Sequence, residues 1–112
     1  MLVIEGVSLT AFLEAACGAI EILPNVLERN GAGRPRFDSR SRITAVLVKA
    51  WLGRSYRDVE TYLYDNKETL AKFSLVVPDH NTIWRTMTLL PESYLKDLNR
   101  EIGQLLKKGN PK

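Results

Sequence analysis

The segment from residue 39 to residue 52, SRSRITAVLVKAWL, constrains the fold of this chain more than any other. Its apolar residues form one helical stripe and also cover the opposite side, so a helix here is apolar nearly all round. Asp38 or Ser39 is suited to cap its start, and Gly53 to end it. Because such a helix has to be surrounded by other elements, we predict a central, buried helix. The apolar positions are Ile43, Ala45, Val46, Leu47, Val48, Ala50, Trp51 and Leu52.

A first helix with an acidic surface is predicted before this central segment, over residues 8–29. Ser8 or Thr10 is suited to cap its start. Pro24 lacks the amide hydrogen that a helix interior requires, so it should end or kink this helix. Cys17 is the only cysteine of the chain, which excludes an intramolecular disulfide and a cysteine zinc site. We expect it to pack as a small hydrophobic residue.

Four helical segments are predicted after the central helix. The first opens at Ser55, with Asp58 at the spacing of a capping box. The last carries leucine and isoleucine at Leu95, Leu98, Ile102 and Leu105, a short coiled-coil-like seam that packs on the core or pairs with another chain. No strand pattern is convincing, so the sequence predicts an all-α fold, a small bundle of about five helices. The predicted segments are residues 55–64, 66–73, 79–90 and 92–108.

Positive charge is concentrated in the middle of the chain. Residues 1–30 carry a net charge of −3, with four glutamates against one arginine, and residues 31–57 carry +6, with seven basic residues against one aspartate. Residues 58–112 balance, with eight of each sign. This asymmetry indicates a polyanionic partner for the middle segment, and nucleic acid is the obvious one. The alternative is a solvated, arginine-rich linker.

The basic segment begins with a linker, NGAGRPRF, at residues 30–37. Its tripeptide Gly33-Arg34-Pro35 is also the centre of AT-hook segments, whose extended backbone enters a narrow minor groove. Three residues are a small pattern, and a plain basic linker is the alternative. Arg34, Arg36, Arg40 and Arg42 are the predicted phosphate or minor-groove contacts.

The segment over residues 79–90, DHNTIWRTMTLL, is predicted to be the helix that reads DNA. Ile83, Met87 and Leu90 are spaced to face the core, so the opposite side is polar. Asparagine and arginine side chains make bidentate bonds to adenine and guanine in the major groove. The alternative is a solvent-facing polar stripe, which any amphipathic helix has. The predicted contacts here are Asn81, Thr82, Trp84, Arg85 and Thr88.

The sequence lacks the patterns that are typical of several classes of function. His80 is the only histidine, and without a second histidine or a further cysteine a transition-metal site is not expected. We find no nucleophile–base pairing and no phosphate-cradling glycine loop, so we expect no enzyme, no cofactor and no small-molecule substrate. No apolar stretch is long enough to span a membrane, and no signal peptide is evident, so we expect a cytoplasmic protein.

Two stretches carry a resemblance to a known family. They are GRPRFDSRSRITAVLVKAWLGRSYRDVETYL, from Gly33 to Leu63, and VPDHNTIWRTM, from Val77 to Met87. Their order resembles the N-terminal region of insertion-sequence DDE transposases, which opens with GRP, a hydrophobic helix, an SYR helix start and a PDH-S/T-T helix start. The resemblance covers residues 33–90, about half of the chain, and Asn81 departs from the second motif.

The resemblance implies a helix-turn-helix-like domain that engages the terminal inverted repeats of the mobile element. In that family catalysis belongs to a downstream RNase H-like domain, in which three carboxylates on and near strands bind two divalent metal ions. The carboxylates of this chain fall on predicted helices and caps, and the chain ends at Lys112. We therefore expect the DNA-binding part without the nuclease.

These observations give one leading hypothesis and one rival. The leading hypothesis is a DNA-binding protein of transposase origin that recognises duplex DNA without catalysis. The rival is a protein-interaction or dimerisation module with no nucleic-acid ligand, in which the acidic first helix and the leucine seam form a homodimer. The predicted organisation is an acidic helix and linker (1–32), a helix-turn-helix-like module (33–90) and an amphipathic helix (91–112).

Overall fold

A computed structural model describes residues 8–23 and 38–109 of the chain. Within these residues every regular element is a helix, which confirms the predicted all-α bundle. Six helices are present among these residues, one for each predicted helical segment. They are α1 (Leu9–Ile22), α2 (Ser39–Leu52), α3 (Tyr56–Asp65), α4 (Lys67–Ala71), α5 (His80–Leu89) and α6 (Glu92–Gly109).

Side-chain caps begin two of these helices where the sequence predicts them. The Ser8 hydroxyl accepts a hydrogen bond from the Ala11 amide, and the Ser55 hydroxyl accepts one from the Asp58 amide, both at 3.1 Å. Each bond satisfies an amide that has no partner within its own helix. Asp38 is the N-cap residue of α2, but its side chain makes no capping bond.

The ends of α1 and α2 follow from local backbone chemistry. Gly53 adopts φ 69° and ψ 35° and donates its amide to the Lys49 carbonyl, so α2 stops in the left-handed conformation that glycine tolerates best. α1 ends at Ile22, with Leu23 extended. An extended residue is what a following proline, here Pro24, favours. The predicted continuation to residue 29, and the linker at 30–37, lie outside the described residues.

α2 is the central helix that its sequence predicts. It packs against α1, α3 and α5. Burying the apolar side chains of this helix removes a large apolar surface from water. The buried residues of α2 are Ser41, Ile43, Thr44, Ala45, Val46, Leu47 and Val48.

The helices form two groups, which meet where α1 packs on α2. In the first, α1 and α6 make the most extensive helix–helix contact of the described residues, and α1 also packs on α2. In the second, α2, α3 and α5 pack on one another. A stacked pair joins α1 to α2, since the Phe12 and Trp51 rings lie 4.3 Å apart and 5° from parallel. One hydrophobic core runs through both groups.

The leucine seam of α6 is used within the chain. Leu98 and Ile102 are fully buried, and Leu95 and Leu105 are partly buried against the same core. The terminal methyl of Leu105 lies 3.1 Å from where a Cβ on Gly18 would be, so α1 and α6 approach closely at that point. Of the two outcomes predicted for this helix, packing on the core is the one observed.

α4 ends in a turn that its sequence does not predict. The Leu75 amide donates to the Leu70 carbonyl and the Ser74 amide to the Ala71 carbonyl, both at 3.0 Å, which is the bond pattern of a Schellman motif. Ser74 occupies its left-handed position, with φ 61°, where glycine is usual. Leu70 and Leu75 are both buried, which supplies the apolar contact of the motif. The long connection from α3 to α5 is therefore a folded element.

None of the helices in the described ranges is both long enough and apolar enough to cross a membrane.

Candidate nucleic-acid interface

α5 has one buried face and one exposed face. Ile83 and Thr86 are fully buried and Leu90 nearly so, which fixes the helix against α2 and α3. The residues at the intervening positions share the opposite face, as helical spacing requires. Exposed on that face are Asn81, Trp84, Arg85, Thr88 and Leu89.

Four of the five predicted contacts on α5 belong to this exposed face. Asn81 and Arg85 make no side-chain hydrogen bond or ion pair to any residue of the described ranges, so their donors are available to a ligand. The Thr88 hydroxyl donates to the Arg85 carbonyl at 2.7 Å, which satisfies it locally. Thr82 differs, because it is half-buried and its hydroxyl donates to the carboxylate of Asp79.

Arg42 connects α2 to the buried face of α5. Its Nε donates to the Thr86 hydroxyl at 3.1 Å, and that hydroxyl donates in turn to the Thr82 carbonyl at 2.8 Å. Partial burial lowers the pKa of the Arg42 guanidinium. A guanidinium carries five donors, so this bond leaves several free. Arg42 therefore holds α5 in place, whatever it contacts outside the chain.

The Arg40 side chain makes its hydrogen bond inside the fold. One of its terminal nitrogens donates to the Phe73 carbonyl at 2.8 Å and lies 3.7 Å from the Cys17 sulfur. Its Nε is buried and has no hydrogen-bond partner within the described part of the chain. The neighbouring Ser41 hydroxyl accepts from the Val76 amide at 3.0 Å. Together these bonds fasten the connection before α5 to α2, and we leave Arg40 out of the proposed interface.

Arg34 and Arg36, with the minor-groove arm predicted for them, lie outside the described residues.

α3 holds the start of α5 through one carboxylate. Oε1 of Glu60 accepts a hydrogen bond from the His80 amide at 3.1 Å and lies 2.7 Å from Nδ1 of the same histidine. The amide is one of those left without a partner at a helix N-terminus, and a carboxylate there is also favoured by the helix dipole. Glu60 thus acts as a cap supplied by another helix, and the pair ties α3 to α5.

An open groove of about 570 Å³ lies beside this pair, between α3 and the start of α5. Arg57 and Tyr64 of α3 line it, together with Asp79 before α5. Arg57 is exposed and makes no side-chain bond among the described residues. The groove itself holds the carboxylates of Glu60 and Asp79, so its interior is unsuited to an anion, whereas the exposed rim at Arg57 is suited to one.

Sequence reasoning missed Arg57 and the Glu60–His80 pair. Arg57 belongs to the basic middle segment, but the sequence pattern around it, Ser55 and Asp58, indicates only a helix cap. No local pattern relates Glu60 to His80, because twenty positions separate them. Only the packing of α3 on α5 brings the two together.

The described residues do not bring three histidine, cysteine, aspartate or glutamate side chains together as a set of metal ligands. Cys17 is buried, as expected for a small hydrophobic residue. Burial raises the pKa of its thiol, although the nearby Arg40 acts in the opposite direction. A neutral, buried thiol is a poor nucleophile.

No protein-family model, curated protein or solved structure matches the chain. The transposase resemblance therefore rests on the quoted motifs alone.

Proposed function

We propose that this chain is a non-catalytic protein that binds double-stranded DNA and presents the exposed face of α5 to the major groove. One observation carries the proposal: a helix fixed by two others displays an arginine and an asparagine that have no bonding partner in the described ranges. α5 has ten residues, so it is about 15 Å long, and a major groove about 12 Å wide admits such a helix.

The charges around α5 support the same proposal. No acidic residue lies between His80 and Leu90, and Arg85 stands near the middle of this stretch. Arg54 precedes α3 and Arg57 is in its first turn; both are exposed, and we propose that they contact the phosphates that flank the groove. Contacts of this kind orient a protein on DNA and carry little sequence information. Arg42 adds to the interface by holding α5.

A helix-turn-helix-like arrangement is part of the proposal, with α3 before the reading helix α5. The two helices pack directly on each other. The segment between α4 and α5 is fastened to α2 through the Phe73 carbonyl and the Val76 amide. The connection is therefore longer than the usual three or four residues but does not separate the two helices.

The proposal includes an origin and a place of action. The ordered motifs of residues 33–90 support descent from the N-terminal region of insertion-sequence DDE transposases. By analogy the DNA would be the terminal repeats of such an element, and the protein would occupy them in the cytoplasm without cutting.

The rival function, a dimerisation module, has less in its favour. Dimerisation requires the leucine seam of α6 as a contact surface. However, Leu98 and Ile102 are fully buried within one chain. A second copy could reach them only if α6 left α1. The acidic residues Glu14 and Glu21 are exposed on α1, and like charges on two copies would repel each other.

The test is fluorescence anisotropy of a labelled random-sequence duplex, titrated at two salt concentrations. We expect binding that weakens steeply with salt, because bound cations are released when arginines neutralise phosphates. Arg85→Ala should lower the affinity on the order of tenfold. Arg100→Ala is the matched control, because Arg100 is equally charged, exposed on α6 and paired with Asp97. Absence of binding at low salt, or equal loss in both variants, would overturn the proposal.

A further inference from the structure

Two large apolar side chains stand on the exposed face of α5. Trp84 is 52% exposed and Leu89 is 51% exposed, although both belong to a helix whose other side is well buried. At 100° per residue they flank the stripe of Asn81, Arg85 and Thr88, one on each side. The exposed face is therefore a polar stripe between two apolar borders.

The polar stripe limits what can cover these borders. A purely apolar protein surface would bury the guanidinium of Arg85 and the amide of Asn81 without partners, which costs free energy. The floor of a DNA major groove offers acceptors and donors for both groups. It also offers one apolar group on its base edges, the C5 methyl of thymine. No acidic residue lies from His80 to Leu90, so this stretch would not repel the phosphates on either side of the major groove.

We propose that Trp84 and Leu89 contact thymine methyl groups, so that the preferred ligand is a duplex carrying thymine in the major groove. This inference rests on the proposed function and adds a specificity to it. Five positions along a helix rise about 7.5 Å along its axis, and the two side chains leave the helix on opposite borders of the polar stripe. Each side chain would therefore reach the thymine methyl group of a different base pair.

The experiment compares two alternating duplexes, one of dA and dT and one of dA and dU, as competitors for a labelled random duplex. They differ only in the C5 methyl group. Removing one methyl from an apolar contact weakens binding about fourfold, so we expect the dU duplex, which lacks both methyl contacts, to compete roughly fourfold to fifteenfold less well. Equal competition by the two duplexes would overturn the inference and leave the proposed DNA binding in place. Failure of the random duplex itself to bind would overturn the proposed function.

Single-residue variants then test which side chains distinguish the dT duplex from the dU duplex. Trp84→Ala and Leu89→Ala should each weaken binding of the dT duplex more than that of the dU duplex, and bring the ratio towards one. Both side chains are half-exposed, and circular dichroism would verify that each variant keeps its helices. Arg85→Ala should lower the affinity for both duplexes alike. Ile22→Ala is the matched control, since Ile22 is 59% exposed on α1, and it should change neither.

An equal loss of affinity for both duplexes in Trp84→Ala and Leu89→Ala would show that these residues touch DNA elsewhere. That result would overturn the assignment to thymine methyl groups while leaving DNA binding by α5 intact.

Discussion

α1 and α6 are held together differently from α2 and α5. The first pair meets through apolar side chains and a close approach at Gly18, and among the described residues no hydrogen bond joins the two helices. The second pair has an apolar contact too, but Arg42 adds a bond to Thr86. Glu60 adds a second tie, from α3 to the start of α5. Apolar contact supplies most of the stability, whereas directional bonds fix how a helix is turned.

This difference matters for a helix that is meant to present one face. An apolar interface tolerates small rotations, because its attraction is not directional. A rotation of α5 by one residue, about 100°, would replace Arg85 with a different side chain on the exposed face. The bonds to Thr86 and to the His80 amide oppose such a rotation. We therefore expect changes in the two regions to separate stability from DNA affinity.

The largest effect is expected from a cavity in the apolar pair. Ile102→Ala removes a fully buried side chain of α6 and should lower the free energy of unfolding by about 2 to 5 kcal/mol. Urea unfolding followed by circular dichroism measures this. DNA affinity should stay unchanged under conditions in which the variant is folded. A large loss of affinity in the folded variant would contradict the division between the two regions.

A smaller loss of stability, but a clear loss of affinity, is expected from Thr86→Val. The change keeps the shape of a fully buried side chain and removes the acceptor of the Arg42 bond, at a cost of about 1 kcal/mol. Thr86 cannot touch DNA itself. A fall in affinity measured by anisotropy would therefore show that Arg42 acts by holding α5.

The matched variant is Arg42→Lys, which keeps the charge and loses the Nε donor. Positioning by Arg42 predicts that this variant binds as weakly as Thr86→Val. Wild-type affinity in Arg42→Lys, with no change in Thr86→Val, would instead assign Arg42 to a phosphate.

An effect on stability alone, with none expected on DNA affinity, concerns the dependence of stability on pH. Burial raises the pKa of Tyr94 and Cys17, and that of Tyr62 despite the nearby Arg54. A raised pKa means that the folded state keeps its proton longer than the unfolded state. The associated stability is complete below the unfolded pKa values, about 8.5 for cysteine and about 10 for tyrosine, and is lost as pH rises through the folded values.

Tyr94→Phe tests this dependence. The Tyr94 hydroxyl is buried without a hydrogen-bond partner in the described ranges, so its removal should raise the free energy of unfolding by about 1 kcal/mol at pH 7. The gain should widen above about pH 10, since the variant has no phenol to ionise there. Urea unfolding from pH 7 to pH 10.5 measures both. A variant that is less stable than the wild type at pH 7 would reveal a partner for the hydroxyl.

The sequence predicts the helices well, because their signals are local. The apolar α2 with Gly53 at its end, and the Ser55 cap of α3, need only neighbouring residues to be recognised. The buried face of α5 was also predictable, since Ile83 and Leu90 keep helical spacing. The turn after α4 was not, because Ser74 occupies a position where glycine is the usual signal.

The candidate site is only partly predictable for the same reason. The exposed face of α5 follows from its own spacing, and Asn81 and Arg85 were identified from it. Charge alone cannot tell an arginine that faces solvent from one that bonds inside the fold, so the sequence does not distinguish Arg34 and Arg36 from Arg40 and Arg42. The actual partners of the last two, Phe73 and Thr86, lie 33 and 44 positions away.

The two tryptophans give this chain a pair of built-in optical reporters. Trp51 is half-buried and stacked on Phe12, where α1 meets α2, whereas Trp84 stands in solvent on α5. An aqueous quencher would reach the second ring far more readily than the first. Quenching separates the emission of the two rings, so a single unlabelled sample could report both the packing of α1 on α2 and the covering of the exposed face of α5.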